Sequence, residues 1–195
     1  GSEVTDELLA TAPVVYLGGY LLMPELSAEA VADMFRRARA AGAKTVLDVA
    51  VPHTENLWER LEPVLPFTDV FLPNSDEARL ITGLDDPGEQ ARRFHEAGAG
   101  TVVITSGNDG AVLITAETEL RSGVFDVTFV DGTGSGDAFD AGYVLGLLEG
   151  RSSEDCLKLG SALGASCVRK TGATAGVFTR AELEAFLRER TLRVH

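Results

Sequence analysis

Residues 131–143 read Asp-Gly-Thr-Gly-Ser-Gly-Asp-Ala-Phe-Asp-Ala-Gly-Tyr, the stretch of this chain whose residue types and spacing best suit chemistry. Gly132, Gly134 and Gly136 alternate with small hydroxyl residues, Asp137 follows at once, and the apolar run from Ala138 to Leu148 has the length of a buried helix. The first N–H groups of a helix lack intrahelical acceptors and the macrodipole adds positive charge there, so such a junction offers an anion site. Glycines let the backbone approach a ligand with no Cβ in the way. A carboxylate at the mouth of a phosphate site repels its ligand, so the presence of Asp137 points to a chemical role, that of taking a proton from a hydroxyl that attacks phosphorus. The competing reading is a plain glycine turn ahead of a core helix.

Three other glycine-loop templates fail on the letters. A Walker loop requires a lysine beside its last glycine, and none lies near. A dinucleotide fingerprint counted from Gly134 and Gly136 meets Phe139 where its third glycine belongs, and an EF-hand loop counted from Asp131 meets Gly142 where the bidentate glutamate belongs.

The elements that must position this loop can be read in order. Val14–Leu17 reads as a buried strand; Ser27 caps a helix to about Ala41, and Thr45–Asp48 is a second strand. A helix around Leu57–Leu65 leads to the strand Val70–Leu72, after which Asn74 or Ser75 caps a helix ending at Gly83. A helix from Pro87 to Ala97, the strand 101–105, a turn at 106–110, a strand 111–115 and short strand material over 119–130 follow. Helices near 136–149, 153–169 and 179–190 close the chain, the last with Thr179 and Glu182 at capping-box spacing. Alternating strands and helices imply a three-layer α/β/α fold with a mainly parallel central sheet, as one domain over residues 1–195. Ligands of such folds sit at the carboxyl ends of strands, where Asp48, Asn74, Ser106-Gly107 and Asp131 all fall.

Composition limits the partners. The hydrophobic fraction of 45% supports a sizeable core, while the net charge of -13 argues against nucleic acid or an anionic membrane as partner. Cys156 and Cys167 lie in helical segments, no signal peptide or membrane-length apolar run is visible, and a reduced cytoplasm is the expected compartment. Gly1-Ser2 reads as a cloning remnant.

The loop at 131–143 resembles the C-terminal signature of the ribokinase-like sugar kinases, the PfkB family. Leu72-Pro73-Asn74-Ser75-Asp76-Glu77 is similar to that family's Asn-x-x-Glu element, Val103–Gly110 to its nucleotide-side strand and turn, and Gly160–Gly172 to its small-residue helix beside the adenine. The resemblance implies an ATP-dependent phosphotransferase acting on a sugar or related small alcohol, with Asp137 as the base. It further implies that the amides of Gly134, Ser135 and Gly136 hold the developing charge, and that Asn74 and Glu77 organise Mg2+ and its waters. Thr105, Gly107 and Gly110 would border the nucleotide, with Ser161 and Gly164 on its other side. Asp131 and Thr133, with carbonyls near Cys167 and Gly172, match a monovalent-cation (K+) site of some members; Gly132 and Gly176 depart from that pattern.

Full-length members carry a further N-terminal region with the sugar-holding residues and a lid, so the resemblance implies a chain truncated at its N-terminus. Slow phosphoryl transfer by the chain alone and self-association into a homo-oligomer are the corresponding expectations. Two alternatives stay open: a nucleotide-binding or oligomerisation fragment without catalysis, and a vitamin or nucleoside kinase of the same superfamily. Asp48 is read as a strand-end cap or as a residue near the substrate, His53 and His95 as surface residues, Trp58 as a core anchor, and Arg188-Glu189-Arg190 as a solvated helix end.

Overall fold

A computed structural model describes residues 4–51 and 55–195; Gly1-Ser2 and His53 lie outside them. The chain divides into two compact units, one running to Ser106 and including Val112–Glu119, the other formed by Gly107–Ala111 and Leu120–His195. Six strands form one sheet in the order of the sequence: β1 (Val14–Leu17), β2 (Lys44–Leu47), β3 (Val70–Phe71), β4 (Thr101–Thr105), β5 (Ala111–Ile114) and β6 (Glu119–Ser122). β1 to β4 pair in parallel, from Val14 opposite Lys44 to Phe71 opposite Val102, which puts their carboxyl ends on one edge.

Helix crossovers explain the strand sequences. In the first unit these are α1 (Asp6–Thr11), α2 (Ala28–Ala40), α3 (Leu57–Leu61), α4 (Ser75–Thr82) and α5 (Pro87–Glu96). Strands covered on both faces read as continuous apolar runs, and β3 and β5 are buried throughout. The core gathers Phe35, Leu47, Phe71, Phe94, Val102 and Ile104, with the Phe71 and Phe94 rings edge to face at 4.9 Å. Burying each such side chain contributes about 1.5–3 kcal/mol. Trp58 packs on this core and stacks on Phe94 at 6.0 Å, the anchoring role expected of it.

Three local readings need correction. β1 is half-buried, with Tyr16 41% exposed, because among the described residues it ends the sheet and pairs only with β2. The helix read over Leu57–Leu65 stops at Leu61: Pro63 cannot donate to it, and Leu65–Phe67 forms a separate 3-10 turn around Pro66. Of residues 119–130, only Glu119–Ser122 is strand.

The second unit is built on α6 (Ser135–Leu148), α7 (Ser153–Cys167) and α8 (Arg180–Glu189). α6 and α7 pack backbone to backbone: a Cβ on Gly142 would lie 2.5 Å from the Leu159 carbonyl oxygen and one on Gly160 3.0 Å from that of Phe139. Phe125, Leu163, Leu183 and Leu192 close the core beside them. The C-terminal tail returns to β6, where the amides of Arg121 and His195 donate to each other's carbonyls at 2.8 and 3.0 Å. That pairing covers strand edge otherwise left open.

Candidate active site

The glycine loop enters α6 through a left-handed turn. Gly134 is the N-cap, with φ 78° and no capping side chain, and a Cβ there would lie 2.6 Å from the Ala173 Cβ. Both the turn and its backing by Ala173 therefore require glycine. The Ser135 amide closes the turn onto the Gly132 carbonyl at 3.1 Å. Among the described residues the amides of Gly134, Gly136 and Asp137 have no such acceptor, so they are the donors this helix start presents. Gly136 needs no unusual conformation and a Cβ on it would meet nothing within 4 Å. Its missing side chain leaves open the space before the helix dipole, a cradle a phosphate oxygen can occupy. Asp137, exposed in the first turn, borders that space, while Asp140 one turn later is only 5% exposed.

A brace holds the loop from behind. Asp131 Oδ1 accepts from the Thr133 amide and hydroxyl at 3.0 and 2.8 Å, and its Oδ2 from the Gly172 amide at 2.9 Å. The Gly172 bond first, then those from Thr133, hold the Asp131 carboxyl below its ordinary range. The Cys167 thiol donates to the carbonyls of Ala173 and Thr133 at 3.2 and 3.4 Å, and burial, followed by the charges of Asp131 and Asp137, pushes it up. The residues matched to a monovalent-cation site are thus engaged with each other and with the 172–173 segment.

The first unit carries the second part of the expected constellation. Asn74 and Glu77 form a reciprocal capping box at the start of α4: Asn74 Oδ1 accepts from the Glu77 amide and Glu77 Oε2 from the Asn74 amide, each at 2.9 Å. Burial pushes the Glu77 carboxyl up to about 7; the Asn74 amide opposes this, and the charges of Asp48 and Asp76 add to it. Asp48 caps its own neighbourhood, its Oδ2 accepting from the Gly19 amide at 3.1 Å. Thr105 follows through an isolated parallel bridge to Asn74, its amide donating to the Pro73 carbonyl at 3.2 Å.

A family model described as pfkB family carbohydrate kinase matches residues 2–180. The chain belongs to that family. It is 34% identical over 137 residues to the ATP-dependent 6-phosphofructokinase of Thermoanaerobacterium thermosaccharolyticum, covering 65% of this chain and 42% of the relative. It is 34% identical over 156 residues to the ribokinase of Haemophilus influenzae, covering 77% of this chain and 49% of the relative. The chain spans about half the length of these curated relatives. Its fold is that of ribokinase structures: a putative ribokinase II from E. coli, solved with ATP and Mg2+, superposes with a TM-score of 0.83 at 24% identity over 97% of this chain and 63% of that one.

In this pfkB-family chain the remaining expected residues take definite places. Gly107 and Gly110 bound the turn after β4 with φ 53° and 87°, and a Cβ on Gly110 would collide with the Ser122 carbonyl oxygen. Ser161 lies half-buried on α7, and a Cβ on Gly164 would lie 3.3 Å from the Ser135 carbonyl oxygen, so α7 approaches the end of the glycine loop closely there. One residue, Ala173, is not singled out by type or spacing, whereas Ser106 falls among the strand ends where ligands sit. Ala173 backs Gly134, and the Ser106 hydroxyl, at the end of β4, is a buried oxygen with no hydrogen-bond partner among the described residues. A small apolar residue in a loop carries no sequence signal, whereas a serine at a strand's carboxyl end in this fold does. His95 uses Nδ1 on the Ala99 carbonyl at 2.7 Å, beyond the end of α5.

Proposed function

We propose that this chain is the nucleotide-binding and catalytic part of an ATP-dependent kinase that transfers the γ-phosphoryl group to a hydroxyl of a sugar or related small alcohol. The observation that carries the reading is the start of α6, where open amides and the vacant side-chain space of Gly136 stand next to the exposed carboxylate of Asp137. The name of its ATP-dependent phosphofructokinase relative supports ATP as donor.

The residues divide the work. The amides of Gly134 and Gly136, with Ser135 completing the turn, hold charge on the transferred phosphoryl oxygens, and Asp137 takes the proton of the attacking hydroxyl. Asp131 and Thr133 keep the turn in shape through the bonds described above. Thr105, Ser106, Gly107 and Gly110 border the nucleotide, with Ser161 and Gly164 on α7. Magnesium fits the donor set around Glu77: hard carboxylate oxygens, and a half-buried acid whose charged neighbours are the acids Asp48 and Asp76. When bound, the ion would neutralise phosphate charge; Asn74 fixes the Glu77 carboxylate that would accept from its bound waters. K+ would be held by Asp131 and Thr133 in the same reading, and sugar and nucleotide are the partners.

Calorimetry with Mg-ADP and Mg-ATP tests the reading. Binding accompanied by a rise in melting temperature at millimolar nucleotide is expected, since a ligand selective for the folded state stabilises it. Absence of both heat and thermal shift would overturn it. Binding without any phosphoryl transfer across a sugar and nucleoside panel would select the non-catalytic fragment reading.

A further inference from the structure

The second unit contains a cavity of about 510 Å³ at the far end of its helices from the glycine loop. Gly164, which closely approaches the loop, and Asp155, which lines the cavity, are nine residues apart on α7 and so project about 180° from each other. The floor is apolar: Phe125, Leu183 and Leu192, each at most 5% exposed, with Leu159 and Leu187 beside them.

The rim is where this acidic chain reverses its charge. The chain carries 17 Lys and Arg against 30 Asp and Glu, yet the cavity is lined by five cations and three carboxylates. The carboxylates are already matched. Glu149 holds Arg151 at 3.0 Å and Arg180 at 2.6 Å, Arg180 also reaches Glu184 at 2.8 Å, and Lys158, held by Glu154 outside the lining at 2.6 Å, lies 3.9 Å from Asp155. Arg188 and Arg190 remain, forming no ion pair among the described residues. The volume is that of a small-molecule site, and guanidinium groups recognise phosphate and carboxylate through paired donors. A surplus of two positive charges matches the dianion of a phosphate monoester, about −1.5 to −2 at neutral pH.

We propose that this cavity is a second ligand site, separate from the glycine loop, for a small organic phosphate monoester whose apolar body rests on the leucine and phenylalanine floor while Arg188 and Arg190 take the phosphate. The site does not depend on the kinase reading. The test is an amide-resolved NMR titration of the 195-residue chain with phenyl phosphate, alongside inorganic phosphate and phenol, repeated on R188A/R190A and R188E/R190E. Shifts are expected at residues 151–159 and 187–192, with phenyl phosphate binding about tenfold tighter than either half alone, and with about tenfold loss in the alanine pair and abolition in the glutamate pair. Both arginines are exposed, so unchanged melting temperatures of the variants show that folding is intact. Shifts confined to residues 132–137, inorganic phosphate binding as tightly as phenyl phosphate, or unaltered affinity in R188E/R190E would each overturn the site.

Discussion

Asn74 and Glu77 hold each other through two 2.9 Å hydrogen bonds at the start of α4, while burial and neighbouring acids push the Glu77 carboxyl up to about 7. The same pair that caps the helix therefore titrates near neutrality. A folded-state pKa raised from 4.5 to about 7 contributes stability that is full below 4.5 and is lost as pH rises through 7. Glu77→Gln keeps an acceptor for the Asn74 amide and removes the titration. Melting temperatures measured from pH 4 to 8 should show the wild type losing stability relative to Glu77→Gln across that window; parallel curves would show that the carboxyl is not perturbed.

The two glycines of the α6 start should fail in different ways. Gly134→Ala meets both the left-handed backbone and Ala173, so destabilisation of about 1–3 kcal/mol is expected by chemical denaturation. Gly136→Ala meets no protein atom within 4 Å and should leave stability nearly unchanged while weakening nucleotide binding about tenfold or more in calorimetry. Equal affinity for the wild type and Gly136→Ala would mean that no phosphate approaches this amide.

Asp137→Asn should lower kcat by about 10²–10⁴ with little change in KM for ATP, because a positioned base is lost and the amides remain. Asp140→Asn serves as the structural contrast: Asp140 is 5% exposed, so its substitution should lower the melting temperature more than Asp137→Asn does. Steady-state kinetics and thermal melts on both variants decide between these roles. A larger kcat loss in Asp140→Asn than in Asp137→Asn would move the base to the buried residue.

Cys156 and Cys167 are free and almost fully buried, and burial pushes the Cys156 thiol up to about 11. Neither should react with a disulfide reagent in the native protein at pH 8, and both should react once it is unfolded. Rapid labelling of Cys167 in the folded chain would show that the brace behind Gly134 opens readily. Cys167→Ser, which keeps a donor toward Thr133 and Ala173, should retain nucleotide binding better than Cys167→Ala.

Local chemistry made much of this protein legible in its sequence. Alternation of apolar runs with capped amphipathic segments set the parallel α/β order, and the caps at Ser27, Asn74 and Thr179 lie where their side chains can accept from the third residue on. The glycine loop with Asp137 was readable because backbone permissiveness and helix-start amides are properties of a dozen consecutive residues. Edge position was not: β1 has the letters of a buried strand, and only pairing on one side leaves Tyr16 at the surface. The resemblance grouped Asp131 and Thr133 with Cys167 and Gly172, but the hydrogen bond from Gly172 and the backing by Ala173, from some forty residues away, were not legible. The rise of the Glu77 carboxyl and the surplus charge around the second-unit cavity were equally hidden. Burial and the field of distant charges depend on which residues folding brings together, and spacing along the chain does not encode them.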